Sequence, residues 1–123
     1  MGYLVTGATG FIGRHLIERL LEREGEIYLL VRASSTEKVD RLSKDWGSAA
    51  DRVHTLIGDL GSPNLGLDDG TIAQLDGKID HFFHLAAVYD MTAPEERNRV
   101  ANVEGTRHAV ALANAVGAGR WHS

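Results

Sequence analysis

Three glycines, Gly7, Gly10 and Gly13, stand in the run TGATGFIG at residues 6 to 13, between a short apolar run and a helical pattern. In that setting each has a job. Gly7 permits a tight turn, Gly10 lets the backbone come close to a pyrophosphate, and Gly13 lets the following helix pack against the strand. The helix N-terminus then presents free N–H groups and the positive end of its dipole to the phosphates. The spacing is GxxGxxG rather than the GxGxxG of the general dinucleotide fingerprint, and no Gly-Lys-Ser/Thr follows, so the run is not a P-loop. A purely structural glycine turn is the alternative. The strand, turn and helix context favours the phosphate-binding one.

A second chemical signal is Arg32. Proteins that prefer NAD place a carboxylate at the end of the second strand, about 20 residues past the glycines, where it bonds the ribose 2′-OH. Here that position is Arg32, followed by Ala33, Ser34 and Ser35, with no acid before Glu37. A guanidinium fork can make paired bonds to a 2′-phosphate, and the hydroxyls of Ser34 and Ser35 could add more. NADP is therefore favoured over NAD; an ordinary surface arginine is the alternative. The six histidines invite a metal reading. His81 and His84, however, lie three apart on a strand and point to opposite faces, while His15 and His108 read as surface or boundary residues of helices. No metal site is expected.

These residues need elements to position them. YLVT at 3 to 6 reads as a strand. A helix follows, with Phe11, Ile12, Leu16, Leu20 and Leu21 returning to one face and Gly25 in the stop position. Ile27 to Val31 forms a second strand, and the cap-like cluster Ser34, Ser35, Thr36 opens a polar helix to about Trp46. Val53 to Ile57 is the third strand. A loop with Pro63 leads to a short helix near Thr71 to Leu75 and a fourth strand, Ile79 to Leu85. A long helix from Pro94 to about Val116 closes the pattern, with Val100, Val103, Val110, Ala113 and Val116 expected on one side. Strands that are apolar throughout, alternating with helices, mean a parallel sheet buried on both faces: an α/β, doubly wound sheet with right-handed crossovers. The chain reaches Arg120 to Ser123 where a fifth strand would begin, so the doubly wound sheet is expected to be incomplete at the C-terminus.

Composition sets the outer bounds. The chain has 123 residues, 13 Lys and Arg against 17 Asp and Glu, a net charge of −4, 43% hydrophobic residues and no cysteine. That is one domain or less with an ordinary globular make-up. The acidic balance argues against nucleic acid as a partner. Without cysteine there is no disulfide, thiolate metal site or Cys nucleophile, which suits a cytoplasmic protein. The longest uncharged apolar stretch, Ala109 to Ala118, is about half of the ~20 residues a membrane span needs. No signal peptide is legible. MGYLVT matches the myristoylation pattern, but a buried strand at Tyr3 to Thr6 conflicts with a mobile acylated Gly2.

TGATGFIG, together with GDL at 58 to 60, HLAAVYD at 84 to 90 and NVEGT at 102 to 106, resembles the extended short-chain dehydrogenase/reductase superfamily of NAD(P)-binding Rossmann proteins. LLVR at 29 to 32 and HLAAVYD are most similar to its thioester-reductase and fatty acyl-CoA-reductase branch. The resemblance implies that Thr9, Gly10, Phe11 and Ile12 wrap the pyrophosphate with backbone N–H groups, with Gly7 and Gly13 shaping the same cofactor-binding turn, and that Asp59 accepts from the adenine amino group while the Leu60 amide donates to the ring. It further implies that Ala86, Ala87 and Tyr89 leave room for the ribose and nicotinamide, and that Asn102 orders the cofactor pocket. Plainer roles stand beside these: a turn or cap aspartate for Asp59, tight packing for the alanines, a solvated helix asparagine for Asn102. The superfamily also dimerises through the helix at 94 to 117, whose apolar stripe is otherwise plain core.

The superfamily's chemistry uses a Tyr four residues before a Lys, assisted by Ser or Thr, to move a proton at the substrate oxygen. Tyr3, Tyr28 and Tyr89 are followed four residues on by Gly7, Arg32 and Ala93. No catalytic pair is present. Residues 1 to 123 are therefore expected to be the N-terminal dinucleotide-binding part of an extended short-chain dehydrogenase/reductase, with the substrate domain absent. The parent is expected to be an NADP-dependent oxidoreductase reducing an acyl thioester or related carbonyl. A nucleotide-sugar epimerase/dehydratase, a hydroxysteroid dehydrogenase-type enzyme, or a non-catalytic dinucleotide-binding module are the alternatives.

Overall fold

The computed structural model describes residues 2–7, 11–59, 63–85 and 95–122. Strand β1 (Gly2–Thr6) is buried along its whole length, as its sequence GYLVT demands. Its first residue must be glycine, because a Cβ there would run into the Lys78 carbonyl oxygen. Helix α1 (Phe11–Leu21), β2 (Glu26–Val31), α2 (Thr36–Ser43), β3 (Val53–Ile57), α3 (Asp69–Leu75), β4 (His81–His84), α4 (Glu95–Ala115) and β5 (Arg120–His122) follow, with short 3-10 turns at Ala33–Ser35, Gly47–Arg52 and Pro63–Gly66.

All five strands are parallel, in the order β3-β2-β1-β4-β5. Alternate residues of the central strands feed two cores. Leu4, Leu30 and Phe82 pack with Leu65, Leu75, Ala109, Leu112, Ala113 and Val116 on the face covered by α3 and α4. Tyr3, Val5, Ile27, Leu29 and Val31 pack with Ile17, Leu20 and Val39 of α1 and α2 on the other. This is the doubly wound α/β sheet that the apolar runs predict, and the fifth strand starts where the sequence places it.

Three expectations need correction. Strand β3 is not buried on both faces: His54, Thr55 and Ile57 are exposed, because β3 is the outermost strand and has a neighbour on one side only. Helix α2 ends at Ser43 rather than Trp46, as the chain tightens into i to i+3 bonds at Asp45 and Trp46. On α4, Val103 and Val110 are 48% and 42% exposed, whereas Gly105, Ala109, Leu112, Ala113 and Val116 are buried. The small residues mark the buried face because they let the helix lie close to what it covers. The helix closes on left-handed Gly117, with the Gly117 and Ala118 N–H groups returning to the Asn114 and Ala113 carbonyls.

Candidate dinucleotide-binding site

The chain steps outward from β1 to β2 to β3, then crosses to β4 on the other side of β1, so the strand order reverses between β1 and β4. In such sheets the ligand crevice lies outside the carboxyl ends of the strands at that reversal. Gly7 follows β1 there with φ +78°, a backbone that favours glycine, and α1 begins four residues later at Phe11. The first N–H groups of α1 have no partner within the helix, and its first turn carries no acid. Gly13 is buried, as close helix–sheet packing requires. Thr9 and Gly10 lie outside the described residues, as do the side chains of Phe11 and Ile12.

Behind the reversal point sits a feature that sequence reasoning missed. Thr6 and His84 are register partners at the ends of β1 and β4, and the Thr6 hydroxyl meets His84 Nδ1 at 2.8 Å. Thr106 of α4 stands 3.5 Å from His84 Nε2. Thr6 is fully buried and His84 is 8% exposed. Burial pushes the His84 imidazole below its ordinary pKa, so it is neutral near pH 7, and a neutral ring flanked by two hydroxyls can donate on one side and accept on the other. The group ties β1, β4 and α4 together under the crevice. His81, as the spacing predicts, faces the opposite side, where it stacks on Tyr3 at 5.6 Å and meets His122 at 3.2 Å. Among the described residues no three His, Asp or Glu side chains converge as a metal site.

Arg32 is exposed at the end of β2 in an extended backbone (φ −73°, ψ 153°), and its carbonyl accepts from the Ser35 N–H at 2.9 Å. Ser35 occupies the N-cap position of α2 without a side-chain cap bond; Thr36 instead donates to the Ala33 carbonyl at 3.0 Å. A cavity of about 310 Å³ lined by Arg14, Lys38, Arg41 and Leu42 lies between α1 and the helix that Arg32 leads into. Three cations around one cavity make this an electropositive corner, although Arg41 also pairs with Glu37 at 3.7 Å. Asp59 is exposed just past β3, its N–H bonded to the Leu65 carbonyl at 2.7 Å. Leu60, Ala86, Ala87 and Tyr89 lie outside the described residues. Asn102 falls within α4, but its side chain is not among those described.

A protein family described as Male sterility protein, of NAD-binding type, matches residues 5–122. The chain belongs to this family. It is 40% identical over 121 residues to a linear gramicidin synthase of Brevibacillus parabrevis, covering 91% of this chain and 2% of that protein. It is 36% identical over 127 residues to carboxylic acid reductase of Mycobacterium marinum, covering 89% of this chain and 11% of that protein. Among solved structures, the terminal R domain from the myxalamid PKS-NRPS biosynthetic pathway superposes with a TM-score of 0.81 at 36% identity, covering 98% of this chain and 33% of that one. The chain thus spans a small part of these curated relatives and a third of the solved domain. Membership makes it a Rossmann-type NAD(P)-binding domain of the reductase-domain and fatty acyl-CoA-reductase kind, in accord with TGATGFIG and the parallel sheet. Among the described residues no helix is long and apolar enough to cross a membrane.

The lock formed by Thr6, His84 and Thr106 left only a faint trace in the sequence: Thr6 ends an apolar run, His84 interrupts another, and Thr106 ends NVEGT. Their meeting depends on strand register across 78 positions.

Proposed function

We propose that this chain is the NADP-binding part of a reductase that delivers hydride from NADPH to an acyl thioester or related carbonyl. The observation that carries the cofactor choice is Arg32, exposed at the carboxyl end of β2 where an NAD-preferring site would hold a carboxylate. The thioester is supported by similarity to carboxylic acid reductase and to the myxalamid R domain.

Bound NADPH supplies hydride at its nicotinamide. This chain's residues then hold and orient it. Thr9, Gly10, Phe11 and Ile12 wrap the pyrophosphate at the head of α1, with Gly7 making the turn and Gly13 the close packing that set them there; Arg32 and Ser35 take the 2′-phosphate; Asp59 and Leu60 take the adenine. Ala86, Ala87, Tyr89 and Asn102 border the nicotinamide half, while neutral His84 keeps the ends of β1 and β4 at fixed spacing beneath it. None of the three tyrosines has a lysine four residues on, and Tyr3 is buried in the core. We therefore assign residues 1–123 to the dinucleotide-binding part, and place the proton donor and substrate pocket in a further part of the parent protein.

The test is a titration of wild type and Arg32→Asp with NADPH and NADH. Loss of a charged hydrogen-bond pair should weaken NADPH by about 2–3 kcal/mol, roughly 30- to 150-fold, with a far smaller change for NADH. Equal loss for both cofactors removes the argument for NADP, and a wild type that binds neither refutes the proposal.

A further inference from the structure

Leu65 combines two properties that rarely coincide. It is the one non-glycine residue with positive φ among the described residues, at +56°, and its side chain is fully buried. A left-handed backbone disfavours a leucine. Here the side chain holds it there: Leu65 packs into the core with Leu30, Ala109 and Leu112, on the turn that rests against α4. Gly66 continues the left-handed path at φ +78°. Together they turn the chain back onto the end of β3, where the Leu65 carbonyl accepts the Asp59 N–H at 2.7 Å. The approach is close enough that a Cβ on Gly58 would collide with that carbonyl and press on the Leu30 side chain. A Cβ on Gly66 would stand 3.3 Å from the Asp59 nitrogen. Backbone strain of this kind persists only where surrounding packing over-determines it, and it concentrates at ligand sites.

The geometry points to Leu65 as a positioning residue for base recognition: its left-handed carbonyl straps the Asp59 backbone to the α4-side core and so fixes the Asp59 carboxylate for the exocyclic amino group of adenine. This rests on the adenine role proposed for Asp59 above. The strap makes the base preference depend on the backbone conformation of Leu65 and not merely on its apolar bulk.

Two substitutions separate those alternatives. Leu65→Ala removes the burial that holds the backbone left-handed. Leu65→Gly removes the same burial but adopts that backbone freely. Both should lower the melting temperature. The readout is the ratio of affinities for NADPH and for its hypoxanthine analogue, which carries a carbonyl in place of the amino group, with Asp59→Ala as reference. Wild type should prefer adenine by about tenfold, as expected for a hydrogen bond to a carboxylate, and Asp59→Ala should abolish the preference. Leu65→Ala should then lose most of the preference while Leu65→Gly keeps it. A folded Leu65→Ala that discriminates like wild type, or equal loss in both variants, overturns the strap. If Leu65→Ala does not fold, Gly66→Ala, at an exposed position that leaves the core intact, carries the test: loss of preference supports the strap and retention overturns it. A wild type without preference, or an Asp59→Ala that retains one, instead refutes the adenine role of Asp59, and the strap falls with it.

Discussion

Arg52 offers the sharpest stability test, because one side chain closes the end of the helix that heads the proposed cofactor site. Helix α1 ends at Leu21, and its last carbonyls have no partner inside the helix. The Arg52 guanidinium caps this end, donating to the last helix carbonyl, Leu21, at 2.6 Å and to the carbonyls of Arg23 at 2.5 Å and Gly25 at 3.2 Å in the turn that follows. A hydrogen bond with one charged partner contributes about 1.5–3 kcal/mol, and a cation at a helix C-terminus adds about 0.3–1 kcal/mol. Three bonds from one half-exposed group share its desolvation and do not add, so Arg52→Met should cost about 2–3 kcal/mol, with most of the aliphatic packing kept. For a chain of this size that is roughly an 8–12 °C fall in melting temperature. Arg52→Lys, whose compact ammonium cannot span three carbonyls, should recover less than half of it. Paired urea and thermal melts of the three proteins measure this. A Met variant within about 0.5 kcal/mol of wild type, or a Lys variant as stable as Arg, refutes the clamp.

Burial lowers the pKa of both His84 and His81 from the ordinary 6.5, so between that value and the lowered one the unfolded chain binds more protons than the folded chain. Stability should therefore be full above pH 6.5 and fall as pH drops below it. His84→Gln should flatten that slope in pH-dependent urea melts, and an unchanged slope would show that His84 titrates normally. Phe82, fully buried on β4 and stacked on Trp121 at 5.1 Å, should cost about 3–5 kcal/mol when replaced by Ala, and a loss below about 1 kcal/mol would mean the core collapses around the cavity.

Much of the architecture is legible in the sequence for a local reason. Apolar runs too continuous for a half-exposed strand, helices between them and glycines at 7, 10 and 13 are properties of neighbouring residues, and they suffice for a parallel doubly wound sheet with a glycine turn after β1. Gly117 likewise announces the end of α4 through its own backbone preference. Arg32 is placed by simple counting to the end of β2.

Tertiary structure decided what lies between residues far apart in the chain. VHTLI is an exposed edge because no strand lies beyond it, a fact about sheet order that five residues cannot carry. Which side of α4 is core follows from the residues that touch the sheet and the turn before α3, so Val103 and Val110 of the expected stripe face outward while Ala113 and Val116 stay buried. Thr6 finds His84 across 78 positions, Arg52 finds the end of α1 across 31, and Leu65 adopts a backbone its own chemistry disfavours because the core grips its side chain. Each is a contact set by register and packing, where the gain from burying or pairing a group outweighs the local preference that sequence patterns report.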